Sequence, residues 1–227
     1  MSELAEIMPL STFSAYRRLA REKGYCEPWV PYVGPDFGAS GSPRIVYCGA
    51  APYYESDDRH EYPADNDEIA LRMATERWAD FAGGGGYNSG FWRLGNLLAE
   101  SLTSPAQSAN PFSKIAWTNL TKVNEVGRPI PRGGGDALRS LDVAQVRREI
   151  ELLRPDLFVC VSGSMMVSTG NAAFSHCGLM AVQPQRPNTI VKRLPTGGLL
   201  YWTEHPRPKG AAWMQSVISD LLRLTGA

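Results

Sequence analysis

Four short stretches of the chain carry residue types that could do chemistry on a ligand. The first is Gly49-Ala50-Ala51-Pro52-Tyr53-Tyr54, directly after the apolar run Ile45-Val46-Tyr47-Cys48. Gly49 and Pro52 fix the backbone there, the two alanines let a ligand approach closely, and the tyrosines offer flat faces with polar tips. Three acids, Glu55, Asp57 and Asp58, follow at once. The second stretch closes on Asn119, where KIAWTNL emerges from an apolar run. An amide fixed at such a point has donors and an acceptor suited to reading the edge of a planar heterocycle. The third is Tyr87, Asn88 and Phe91, near the start of a helix. The fourth is His205, set in Glu204-His205-Pro206-Arg207-Pro208-Lys209, where prolines hold the imidazole rigidly beside two cations.

Each stretch also has a plainer reading. An ordinary βα turn with core tyrosines accounts for the first equally well. Asn119 also fits a turn cap, and a single strand-end histidine is more often structural than catalytic.

The elements that must position these residues follow from apolar patterning. Ile45 to Cys48 is apolar without alternation, which expects a strand buried on both faces of a parallel sheet flanked by helices. Lys114 to Asn119, Leu157 to Val161 and Leu199 to Thr203 make three more strands. Ligands bind such sheets at the carboxyl ends of the strands, and right-handed crossovers gather those ends on one edge. There Gly49 to Glu55, Asn119, Ser162 to Ser164 and His205 come together. Thr189 to Leu194 reads as a short edge strand, and Asn171 to Asn188 as irregular.

Helices are expected from Ser11 or Thr12 to Gly24, with a solvated basic face of Arg17, Arg18, Arg21 and Lys23. Others begin at Asp65 or Asn66 (packing through Ile69, Met73, Trp78 and Phe81), around Phe91 to Leu102, after a cap at Asp142, and around Trp213 to Leu224. The fold class expected is α/β: a three-layer α/β/α sandwich around a mainly parallel four-stranded sheet. A single domain spans residues 1–227, of which residues 1–43 are an N-terminal helix and extended wrapping.

The formal charge is zero, with 23 basic and 23 acidic residues, so any nucleic-acid surface must come from local clustering. The N-terminus lacks the basic and apolar regions of a leader, and no stretch approaches 18 apolar residues. A cytoplasmic monomer without membrane contact is expected. Cys26, Cys48, Cys160 and Cys177 form no C-x-x-C pair, so neither disulfides nor a metal cluster are expected, and no cofactor is implied.

Taken in combination, Gly49-Ala50-Ala51-Pro52-Tyr53, Asn119, RREIELLRPDLFVCVSG and His205-Pro206-Arg207-Pro208 resemble the uracil-DNA glycosylase superfamily in order and spacing, over about Arg44 to Trp213. TNLTKVNEVGRPIPR is similar to its iron-sulphur branch, without the cysteine cluster, and NSGFWRLGNLL to its mismatch-specific branch. The resemblance implies a DNA glycosylase for uracil or another deaminated base, acting on DNA in base excision repair. Such an enzyme extrudes the nucleotide, holds the base by edge and face, and stabilises an anionic leaving base.

On that basis Asn119 would read the base edge, with Gly49, Ala51 and Pro52 lining its pocket. Phe91, Tyr53 or Tyr54 would stack on the ring, and His205 would donate to the base oxygen where charge develops. Arg207 and Lys209 become candidates for a minor-groove wedge or phosphate contact, and Ser162 and Ser164 join the DNA-facing set. Lys122, Arg128, Arg132, Lys192 and Arg193 would add backbone charge.

The departure lies at Ala50 and Ala51, where many members carry an acid or amide that positions the attacking water. Glu55, Asp57 or Asp58 would have to substitute. Two further readings therefore stand beside the first: a non-catalytic nucleic-acid or nucleobase binder, and a hydrolase of another class acting on a small nucleoside or glycoside.

Overall fold

A computed structural model describes residues 6–39, 41–52, 62–83, 88–103, 110–125, 128, 135–163, 167–180, 184–207 and 209–226. Seven strands are described: β1 (Tyr32–Val33), β2 (Ile45–Gly49), β3 (Ile115–Asn119), β4 (Leu157–Cys160), β5 (Gly178–Leu179), β6 (Ile190–Arg193) and β7 (Leu199–Trp202). Six α-helices accompany them: α1 (Leu10–Lys23), α2 (Asp67–Gly83), α3 (Gly90–Leu102), α4 (Gly135–Leu153), α5 (Val167–Ala173) and α6 (Ala211–Thr225).

The strands form one mixed sheet in the order β1-β3-β2-β4-β7-β6-β5. The four expected strands are its parallel centre, β3-β2-β4-β7, but the sheet is wider than the four strands expected. β1 adds antiparallel to β3, and β6 and β5 extend the other side antiparallel to β7. The strand expected at Thr189 to Leu194 is therefore β6, and β5 covers its outer edge. A helix and a two-residue strand also occupy part of the region read as irregular.

Helices cover both faces. On the front, Tyr47, Trp117, Val159 and Tyr201 meet Trp92, Leu94 and Leu98 of α3 and Met214, Val217 and Leu221 of α6. On the back, Val46, Cys48, Phe158, Cys160, Leu200 and Trp202 meet Val146 and Ile150 of α4 and the Ala173-Phe174 end of α5. This two-residue alternation along strands buried on both faces sends Thr118 to the back and Asn119 to the front. The four cysteines are all free and buried.

Three helix expectations are corrected. Arg17 is buried rather than solvated, because its guanidinium donates to Glu27 at 2.8 Å and to Asp67 at 2.6 Å. In α2 Trp78 and Phe81 pack as expected, joined by Ala70, Ala74 and Ala82, while Ile69 and Met73 are exposed; the Asn66 side chain does cap this helix through Ile69 N–H at 3.0 Å. Asp142 does not cap α4 but lies inside it, fully buried, accepting hydrogen bonds from the Tyr16 hydroxyl at 2.9 Å and the Lys122 amide at 3.3 Å. Among the described residues no helix is long and apolar enough to cross a membrane.

Candidate functional site

β2 and β3 run parallel in register, and their last residues, Gly49 and Asn119, are direct partners. The chain then continues the pairing past both strands, with Leu120 N–H donating to Gly49 O at 2.9 Å and Thr121 N–H to Ala50 O at 3.1 Å. The turn after β2 is thus held against the turn after β3. A Cβ placed on Gly49 would stand 2.4 Å from Asn119 Oδ1 and 3.0 Å from Phe91 Cε2. Only glycine leaves room for the carboxamide and the ring edge to converge there.

Phe91 enters from the first turn of α3. Its ring stacks on Tyr47 at a centroid distance of 4.5 Å, and its backbone carbonyl accepts the Tyr47 hydroxyl at 2.9 Å. It also lies nearly parallel to His205, with centroids 6.4 Å apart and planes inclined by 19°. The start of α3 is set against the His205 loop by Gly90, where an added Cβ would meet Pro206 O at 3.0 Å. Gly163, after β4, lies against the same loop, with a Cβ position 3.1 Å from His205 N. The ends of β2, β3, β4 and β7 and the start of α3 thus meet around Asn119, Gly49, Phe91 and His205.

Asn119 is 2% exposed, and its Nδ2 is buried without a hydrogen-bond partner among the described residues. A buried amide donor left unpaired costs on the order of 1–3 kcal/mol, so an acceptor brought to it by a ligand would recover that loss. The half-buried His205 accepts Arg207 N–H on Nδ1 at 3.1 Å, an arrangement that puts the neutral ring's proton on Nε2. Burial holds its pKa below the ordinary 6.5, and the Arg207 charge pushes the same way. The imidazole is therefore a neutral donor near pH 7. Glu204 beside it is ion-paired to Lys209 at 3.2 Å, which holds its carboxyl below the ordinary carboxylate value.

Ala50 is buried, Ala51 half-buried and Pro52 buried. No acid or amide reaches the site from these three. Tyr53, Tyr54, Glu55, Asp57, Asp58, Tyr87, Arg132 and Ser164 lie outside the described residues, and Asn88 is exposed two residues before α3.

Several expected DNA contacts are corrected. Lys122 is wholly buried, with its ammonium 2.9 Å from Glu149 Oε1 and donating to Thr118 Oγ1 at 2.8 Å, so no phosphate reaches it. Ser162 is buried, and its hydroxyl accepts Trp202 Nε1–H at 2.7 Å. β6 runs antiparallel to β7 and pairs Arg193 with Leu199 at the start of that strand. Lys192 and Arg193 therefore stand at the sheet end opposite His205, and Lys192 Nζ donates to Phe174 O at 3.3 Å. Arg128, by contrast, is exposed, 3.9 Å from Glu125. Of the cations beside His205, Arg207 is exposed and Lys209 half-exposed.

Sequence reasoning missed the buried polar cluster behind β3. Lys122 reads from sequence as a cation for the DNA backbone, and Thr118, Gln145 and Glu149 carry no signal of their own, because no periodicity distinguishes a buried ion pair from a solvated one. Among the described residues no group of three His, Cys, Asp or Glu side chains could hold a metal ion.

No family model matches the chain, and no curated protein does.

Proposed function

We propose that the protein is a DNA glycosylase that hydrolyses the N-glycosidic bond of a flipped-out uracil or other deaminated base. The observation that carries this reading is the unpaired, buried Nδ2 of Asn119 at a strand end it shares with Gly49, Phe91 and a neutral His205. A planar base with a carbonyl on its edge supplies the acceptor that Asn119 lacks. Phe91, braced on Tyr47, offers the adjacent aromatic surface.

Departure of the base leaves negative charge on its carbonyl oxygens. A neutral imidazole donating its Nε2–H stabilises that charge through a hydrogen bond, with the proton staying on the ring. One preorganised donor of this kind is worth about 10²- to 10³-fold in rate. Exposed Arg207, two residues beyond His205, is the cation best placed to hold a phosphate of the extruded strand. The attacking water would be positioned by Glu55 or Asp57.

The test is release of uracil, hypoxanthine or xanthine from labelled single- and double-stranded DNA, read by alkali cleavage, with Asn119→Ala in parallel. Base release lost in the variant supports the reading, and no release from any of these substrates overturns it.

Ala50 and Ala51 favour a second reading, a relative that binds a base or nucleic acid without cleaving it, because methyl groups cannot position a water within the ~3 Å that proton transfer needs. That reading predicts affinity for the same DNA at low salt with no abasic product.

A further inference from the structure

We infer that the buried Lys122–Glu149 ion pair, with Thr118, is a positioning device that holds Asn119 in register from behind the sheet. The inference rests on the glycosylase reading of the site and assigns residues that reading does not use. Lys122 and Glu149 have no exposed side-chain surface. The ammonium donates to Thr118 Oγ1 at 2.8 Å and to the backbone carbonyl of Asn119 itself, so it grips the last two residues of β3 together. Thr118 Oγ1–H donates in turn to Glu149 Oε2 at 2.7 Å, and Gln145 Nε2–H ties Glu149 Oε1 to Ile7 O, at 2.8 Å and 2.9 Å. The ammonium also sits 5.7 Å from the Trp29 ring centre.

Alternation along β3 places this network on the face opposite the Asn119 carboxamide. It therefore touches no base, and it acts only through the backbone it fixes. Asn119 closes β3, and there the ladder gives way to a turn held to β2 by the Leu120 and Thr121 amides and to the back of the sheet by Lys122. Stability alone does not explain the arrangement, because a buried ion pair is often no better than apolar residues of the same shape. A donor that must meet a base edge within tenths of an ångström does explain it: a misplacement of about 1 Å can cost 10²-fold in rate.

The test replaces the network by apolar groups of similar shape, Thr118→Val with Lys122→Met and Glu149→Met. Four quantities are measured: the melting temperature, kcat and KM for base release, and the Asn119 side-chain amide resonances, assigned by their loss in Asn119→Asp. The expected result is a retained melt, a fall in kcat of tenfold or more toward about 10²-fold, a nearly unchanged KM, and a broadened or shifted Asn119 amide pair. Glu149→Gln, which keeps one oxygen for Lys122 but removes its counter-charge, is expected to give a kcat between those of the triple variant and the native protein.

Unchanged kcat and an unchanged amide pair in a folded triple variant overturn the inference. Should the triple variant not fold, Thr118→Val alone removes one of the two grips, and an unaltered kcat and amide pair there overturn it equally. If the native protein releases no base, the glycosylase reading falls while the Asn119 amide still decides the positioning, and an amide pair indifferent to the network refutes it.

Discussion

The carboxamide oxygen of Asn119 lies 2.4 Å from the place a Cβ on Gly49 would occupy. No real side chain tolerates that approach, so the identity of residue 49 and the orientation of residue 119 are one structural decision. Phe91, 3.0 Å from the same point, is bound into it.

Gly49→Ala is the sharpest steric probe of that relationship. The methyl must displace the amide or the ring, and forcing a group into a packed site costs about 1–3 kcal/mol. Because the displaced groups are those proposed to hold the base, base release should fall far more than stability does. Chemical denaturation and base-release rates on the same preparation check this. An active Gly49→Ala protein would mean that Asn119 is not the base reader.

His205 sets the pH dependence. Its pKa lies below 6.5, and the neutral ring accepts Arg207 N–H on Nδ1. Protonation places a hydrogen on Nδ1 facing that N–H and breaks the loop's hydrogen bond. The rate should therefore be level from pH 6.5 upward through neutrality and fall on the acid side as the ring protonates. A pH–rate profile declining already above pH 6.5, and unchanged in His205→Gln, would remove the histidine from the mechanism.

Asp142 makes a stability prediction of unusual sign. Burial pushes its carboxyl up from 3.8 to about 7, against the opposing pull of the Tyr16 hydroxyl and the Lys122 charge and amide. Between those two values the folded protein holds a proton that the unfolded chain has lost, so stability falls as pH rises through this window, by about 1.4 kcal/mol per pH unit. Asp142→Asn keeps an oxygen for Tyr16 and removes the titration. The native protein should lose on the order of 3 kcal/mol relative to the variant between about pH 4.5 and about pH 7.5. Urea unfolding at both pH values measures it, and parallel profiles would contradict it.

The four parallel strands were legible because Ile45 to Cys48, Leu157 to Cys160 and their partners are apolar runs, the pattern of strands buried on both faces. β1 and β5 were not, since two residues carry no period and Leu179 stands 92% exposed. The front of the candidate site was equally legible: Gly49, Asn119 and His205 each stand where a strand ends, and topology alone brings strand ends together. The back was hidden. Asp142 reads as a helix cap and Lys122 as a loop cation, and Gln145 and Glu149 carry no signal of burial, until Tyr16 and Thr118 arrive from distant elements to pair with Asp142 and Glu149. Arg17 was misread for the same reason, its partners Glu27 and Asp67 lying on other segments.

The central claim is that Asn119 and His205 act as one site on a base in DNA. Single-turnover base release from uracil-containing DNA by the native protein, Asn119→Ala, His205→Ala and the double variant tests it most directly. The account predicts a fall of about 10²- to 10³-fold for His205→Ala, a comparable loss for Asn119→Ala, and a double variant slower than either, with melting temperatures retained. Native rates in both single variants would contradict it.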